Sequence, residues 1–196
     1  MRKTSKINIG WINLVKSICM ISVYLLHVEY YAGMNIVKSY RYLLLPFYVT
    51  AFFFVSGYLF FKKWMCGDRF SWGDYVVGIK NLLFRIVVPT IVFASIFYIP
   101  KVMFHSGEMD FGRYFYDVWG GVSFWFTSAL MVAQLVLLTL LFTQQRSVWV
   151  YLSISVGLFI FAYYLMSVDI TSFPWYYKSG LAATLFMVLG GVYQKY

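Results

Sequence analysis

The sequence predicts an all-α protein, a polytopic bundle of about six transmembrane helices with both termini in the cytoplasm. Apolar residues make up 62% of the chain and charged residues only 12%, whereas ordinary soluble domains hold about 45–50% and about 25%. The mean hydropathy is +0.73. Six segments approach the length of about 20 mostly apolar residues that crosses a bilayer. Basic residues concentrate in alternate connections between these segments, as the positive-inside rule requires.

The six candidate spans follow one another through short connections. They are Trp11–Tyr31, Tyr42–Phe61, Leu82–Phe104, Val122–Phe142, Val148–Met166 and Tyr176–Tyr193. The longest connections, residues 62–81 and 105–121, are too short to be independent domains. We therefore expect residues 1–196 to form a single integral membrane domain.

The net charge of +9 is compatible with nucleic-acid binding, but the distribution of the charges indicates membrane topology instead. If the N-terminus is cytoplasmic, the basic residues divide ten to five in favour of the cytoplasmic side, while most acidic residues fall outside. The cytoplasmic ten are Arg2, Lys3, Lys6, Lys62, Lys63, Arg69, Lys80, Arg85, Arg146 and Lys195. The external five are Lys38, Arg41, Lys101, Arg113 and Lys178. We predict contact with anionic membrane lipid and none with nucleic acid.

The first span carries a polar face formed by Asn13, Lys16 and His27. At about 100° per residue, Lys16 and His27 nearly coincide in angle because they are eleven residues apart. A lysine at the bilayer centre costs roughly 2.5–3.5 kcal/mol, so we expect this face to lie against other helices or water. Lys16 snorkelling to the cytoplasmic interface is the alternative. Ionisable residues within a membrane are candidates for a functional site.

Four short motifs follow one another along the chain, one in each of the first four predicted spans. They are Asn13-x-x-Lys16 with His27 eleven residues later, the Phe-rich run ending in Ser56-Gly57-Tyr58, Arg85-x-x-x-Pro89, and Trp125-Phe126-x-x-x-Leu130. This series resembles the membrane-bound acyltransferase-3 family. Asn13 stands in place of the family's usual acid, and Lys16 in place of its usual arginine. The resemblance covers residues 13–130, and the remainder matches only as apolar helices.

The resemblance implies transfer of an acyl group, usually acetyl, from acetyl-CoA or another acyl-CoA to a hydroxyl of a carbohydrate or lipid-linked glycan. It places the protein in a bacterial cytoplasmic membrane. The donor is a substrate, and no bound cofactor or metal is expected. His27 is the candidate catalytic residue, because histidine accepts a proton near neutral pH. The candidate donor-binding and substrate-binding residues are Asn13, Lys16, Lys80, Arg85 and Trp125.

Some of these residues also have purely structural interpretations. Arg85 can serve as a positive-inside anchor. Ser56-Gly57 is typical of close helix packing at a helix end, because small residues let backbones approach. Trp125 and Phe126 are typical interfacial or core aromatics.

Family members usually carry more spans than this chain, which leaves three alternatives for its activity. The chain is an inactive truncated acyltransferase, or a second polypeptide or copy completes its site, or six spans suffice. A different class of function is a small membrane transporter or accessory subunit, for which Lys16, Pro89 and Pro100 would suit a polar path. An acyltransferase should lose transfer from acetyl-CoA when His27 is replaced, whereas a transporter should move a solute without CoA.

Overall fold

The computed structural model describes residues 10–32, 38–65, 70–105, 110–143, 147–168 and 174–196. Side chains are described there except at 26–32, 38–46, 101 and 104–105. The regular structure of these residues is helical, without strands. The all-α fold class is therefore confirmed.

Eight α-helices and two π-helical segments make up the described regular structure. The α-helices are α1 Gly10–Ala32, α2 Lys38–Trp64, α3 Trp72–Leu82, α4 Val88–His105, α5 Phe111–Tyr114, α6 Trp125–Thr143, α7 Val148–Ser167 and α8 Tyr177–Lys195. The π-helical segments Leu83–Val87 and Phe115–Trp119 continue α3 and α5. Each of the six predicted spans overlaps a long helix, the third being α3 and α4 joined through the first π-helical segment.

Three described stretches are long and apolar enough to cross a membrane. They are Trp72–Pro100, Trp125–Thr143 and Val148–Ser167. Residues Gly10–Leu25 form a shorter apolar helix. These lengths and compositions are those of a membrane protein.

Both long connections are more helical than the apolar pattern predicts. Within 62–81, α2 continues to Trp64 and α3 already begins at Trp72. Ser71 starts α3 through a capping box: its hydroxyl accepts from the Asp74 N–H, and the Asp74 carboxylate accepts from the Ser71 N–H. Within 105–121, Asp110 caps α5 by accepting from the Gly112 N–H. The caps at Ser71 and Asp110 therefore begin helices α3 and α5 within the connections, outside the predicted spans.

Helix α8 lies at the centre of the bundle, in contact with α2, α6 and α7. Gly57 of α2 faces the Met187 backbone, and Gly190 of α8 faces the Phe54 backbone, so neither position has room for a Cβ. The predicted close packing at Gly57 is confirmed. The predicted helix end is wrong, because α2 runs on for seven more residues to Trp64. The α2–α8 seam thus excludes side chains at two glycines.

Candidate functional site: a cavity centred on Arg85

Pro89 accounts for the first π-helical segment, which contains Arg85 four residues earlier. Proline has no N–H, and its ring clashes with the carbonyl four residues earlier, which here is the carbonyl of Arg85. The helix accommodates this with one wider turn, in which the Val88 N–H donates to the Leu83 carbonyl. Such π-helical insertions are frequent at functional sites. The Arg85-x-x-x-Pro89 motif therefore places an arginine at a local irregularity of the helix.

Arg85 lines a cavity of about 260 Å³ between α2, α3 and α6, which is mostly apolar but carries five polar side chains. Its polar lining comes from all three helices: Ser56, Lys63, Asn81, Arg85 and Gln134. No carboxylate is among the lining residues. The charged side chains of the cavity, Lys63 and Arg85, are thus both positive.

Lys63 and Arg85 are close enough to influence each other. Partial burial lowers the pKa of the Lys63 ammonium, and the positive charge of Arg85 lowers it further. The Lys63 Nζ also lies 4.2 Å from the centroid of the Trp64 ring, a cation–π distance. Two neighbouring cations without a carboxylate in the cavity favour an anionic ligand.

A second, largely apolar cavity of about 320 Å³ begins at Arg85 and runs along α4 and α6. Its lining includes Pro89, Phe93, Phe97 and Phe124. Arg85 and Ile86 line both cavities. We call the apolar one the α4–α6 groove. Arg85 therefore lies where the cavity that holds two cations meets the more apolar groove.

The polar face of α1 is not packed against this site. Asn13 and Lys16 are exposed, whereas Ile12, Cys19 and Ser22, centred about 100° away around the helix, are buried. Asn13 and Lys16 therefore do not lie against other helices of the bundle, which leaves contact with water, or snorkelling of Lys16, for this face. The small side chains of Cys19 and Ser22 allow close helix packing, which the long Lys16 side chain would prevent.

Helix α1 and the Arg85 cavity contact opposite sides of α2. The Trp11 ring meets the Tyr58 ring edge-on, with centroids 5.2 Å apart. Ser56 and Phe60, which line the cavity, are each about 160° away from Tyr58 around the helix. The structure therefore does not bring Lys16 beside Arg85.

The other candidate residues are dispersed. Lys80 is exposed in the last turn of α3 and is not part of the cavity lining. Trp125 lies at the start of α6, where its ring is 6.3 Å from that of Tyr176. The backbone of His27 belongs to α1, but its side chain is outside the described residues. Their functional roles remain predictions.

Gln134 and Asn81 are cavity residues that sequence reasoning missed. Gln134 is an uncharged polar residue within the apolar helix α6, and a polar residue inside a span marks a candidate site. That signal was present in the sequence. Asn81 carried none, because it falls in a segment predicted to be a connection.

The described residues hold no group of three or more His, Cys, Asp or Glu side chains placed to bind a metal ion. What the bundle provides is a membrane helix arrangement with a cationic cavity near one end of its α2 and α3 helices. This defines a membrane protein with a candidate anion-binding site.

The family profile described as an acyltransferase domain matches residues 9–196. The chain therefore belongs to the acyltransferase-3 family, and the resemblance seen in the motifs is confirmed. No curated protein and no solved structure matches the chain.

Proposed function

We propose that this membrane acyltransferase moves an acyl group, typically acetyl, from acyl-CoA to a hydroxyl of a carbohydrate or lipid-linked glycan at the bacterial cytoplasmic membrane. The observation that carries the proposal is the pair of cations, Lys63 and Arg85, at a cavity in a chain of this family. CoA carries several phosphate charges, and clustered bases lower the free energy of docking it.

The donor site consists of the Arg85 cavity and its rim. Arg85 can bind a phosphate through two parallel N–H bonds, whereas Lys63 acts as a point charge. Asn81 and Gln134 supply neutral donors and acceptors for the amides of the CoA arm. Lys80 is exposed nearby on α3 and adds positive charge for the approach of the donor.

The reaction needs one proton acceptor. The acceptor hydroxyl oxygen attacks the thioester carbonyl carbon, a C–O bond forms, and the C–S bond breaks. In our proposal His27 takes the hydroxyl proton and returns it to the leaving thiolate. Positive charge and N–H donors stabilise the developing oxyanion. Lys16 lies about 16 Å from His27 along α1, so Lys16 and Asn13 are proposed as donor-binding groups and not as the groups at the oxyanion.

The position of His27 along α1 suits an acceptor on the far side of the membrane. His27 is seventeen residues from Gly10, about 25 Å at 1.5 Å per residue. Lys16 is only about 9 Å from the same end. The exposed Asn13/Lys16 face leaves a surface that a second copy or a second polypeptide can cover, and we propose this as the way the site is completed.

The test is transfer of labelled acetyl from acetyl-CoA by the purified chain in bilayers that contain native membrane glycolipids. We expect His27→Ala and His27→Gln to lose activity equally, by about 10²–10⁴-fold, because neither side chain is a base near neutral pH. Donor binding should persist in both variants.

Glutamine keeps the size and hydrogen bonding of a structural histidine, so it separates the two roles. Near-normal transfer by His27→Gln would show that His27 is structural. Absence of acetyl-CoA binding to the wild-type protein would contradict the proposed donor site itself.

A further inference from the structure

We propose that the α4–α6 groove binds one acyl chain of an anionic phospholipid from the cytoplasmic leaflet, with the lipid phosphate on Arg85. Lipid binding here does not require acyl transfer, although the groove shares Arg85 with the proposed donor site.

The length of the groove matches one leaflet. From Arg85 to Phe97 the chain advances twelve residues, which is about 18 Å along a helix. The hydrocarbon core of a bilayer is about 30 Å thick, so one leaflet contributes about 15 Å. The walls along this distance are mainly apolar, with Pro89, Phe93 and Phe124 among the lining residues. A single lipid chain would therefore be covered along most of its length.

The charged end of the groove lies at headgroup depth. Arg85 is three residues inside the predicted span Leu82–Phe104, about 5 Å below its cytoplasmic end. Neither cavity that it lines includes a carboxylate. A guanidinium inside a span needs an anionic or carbonyl partner, and a phosphate accepts two of its N–H bonds.

The open side of the groove favours a phospholipid over a water-soluble ligand. Phe93 and Phe97 are 55% and 61% exposed in the isolated bundle, so this wall faces the bilayer. A phospholipid can enter sideways from the leaflet. A lipid in the groove does not occupy the cavity beside Lys63, which stays open to the donor. Arg85 has five N–H groups and can donate to ligands in both cavities.

The experiment places the full chain in nanodiscs of phosphatidylcholine containing a small fraction of phosphatidylglycerol with a diazirine in its acyl chain. Photolabelled residues are mapped by mass spectrometry. We expect labels on Phe93, Phe97 and Phe124 in excess over Phe161 and Tyr163, which are exposed apolar residues of α7. A phosphatidylcholine probe with the same chain should not show this excess.

Two pairs of variants test where the lipid phosphate and the lipid acyl chain bind. Arg85→Gln should lower groove labelling about fivefold, the effect of one basic residue near the membrane surface, whereas Arg113→Gln, at an exposed arginine of α5 in the predicted external connection, should not. Thr127→Trp, which fills the groove, should abolish the excess. Its match is Thr139→Trp at an exposed position of the same helix, and it should leave the labelling unchanged.

Three results would overturn the proposal. The first is equal labelling of α7 and the groove. The second is groove labelling that both the Arg85 and Thr127 variants leave unchanged. The third is displacement of the lipid probe by palmitoyl-CoA but not by acetyl-CoA, each at a saturating concentration, which would assign the groove to the donor's acyl chain.

Discussion

At the scale of single residues, the main feature of the candidate site is a pair of neighbouring cations that repel each other. The ammonium of Lys63 is partly buried near the guanidinium of Arg85, and both effects lower the pKa of Lys63. Each cation raises the electrostatic energy of the other until an anion lies beside both. A phosphate beside both cations relieves this repulsion. The repulsion destabilises the ligand-free protein, and its relief adds to the free energy of phosphate binding.

The Lys63 pKa predicts a pH dependence of donor binding. Protonated Lys63 attracts the anionic donor, so bound acetyl-CoA raises the Lys63 pKa, and binding takes up protons. The affinity for acetyl-CoA should therefore fall as the pH rises through the lowered pKa of Lys63. Lys63→Arg should flatten this fall, because arginine stays charged. Titrations above about pH 7.5, where phosphate groups are fully ionised, measure the effect. Identical pH profiles for the two proteins would contradict it.

At the scale of helices, the glycines of the α2–α8 seam allow two backbones to touch. Gly57 and Gly190 lie on facing helices and each approaches the main chain of the other helix. Small residues are the usual means of close helix packing in membranes. Position 57 therefore matters for stability rather than for acyl transfer.

A methyl group at Gly57 should destabilise the bundle. The Cβ of Gly57→Ala would meet the Met187 main chain, which cannot rotate away, so we expect a loss of about 1–3 kcal/mol. Gly157 of α7 is the matched control, because a Cβ there meets nothing within 4 Å. Gly157→Ala should be neutral or stabilising by up to about 1 kcal/mol. Thermal unfolding in detergent measures both, and equal midpoints would refute the close contact at Gly57.

The π-helical segment before Pro89 changes the direction in which the candidate residue Arg85 extends from the helix. A π turn adds one residue to a helical turn, so the residues on its two sides lie about 100° out of the register of a continuous α-helix. Pro89 thereby affects where Arg85 lies relative to the groove residues Phe93 and Phe97. A helix without this insertion would present the arginine on another face.

At the scale of the whole molecule, the basic residues predict how the bundle lies in the membrane. The ten-to-five distribution predicts that both termini are in the cytoplasm. The Lys63 end of α2 and the Arg85 cavity would then face the compartment that holds acyl-CoA. The proposed donor site depends on this orientation.

Cysteine labelling in intact cells tests the orientation. In a chain whose Cys19 and Cys66 are replaced by serine, a cysteine at Glu108 should react with a membrane-impermeant maleimide, and one at Asp68 should react only after permeabilisation. Both positions lie outside the described residues and in predicted connections. Labelling of position 68 from outside would reverse the topology and remove the donor site from the cytoplasm.

The sequence by itself determined the fold class, the number of long helices and the family. These depend on composition, on apolar length and on local motifs. Local capping by Ser71 and Asp110 was also readable, although the apolar pattern concealed it.

Only the tertiary structure decided which helix faces meet. Periodicity showed that α1 has a polar face but not that Cys19 and Ser22 would be its buried side, because close packing depends on the shape of the partner helix. Likewise, Lys63, Asn81 and Gln134 are 18 and 53 residues apart in sequence, and only the packing of α2, α3 and α6 brings them to one cavity with Arg85. The bilayer core and the protein core are both apolar, so a residue that faces lipid and a residue buried in protein are equally apolar in the sequence.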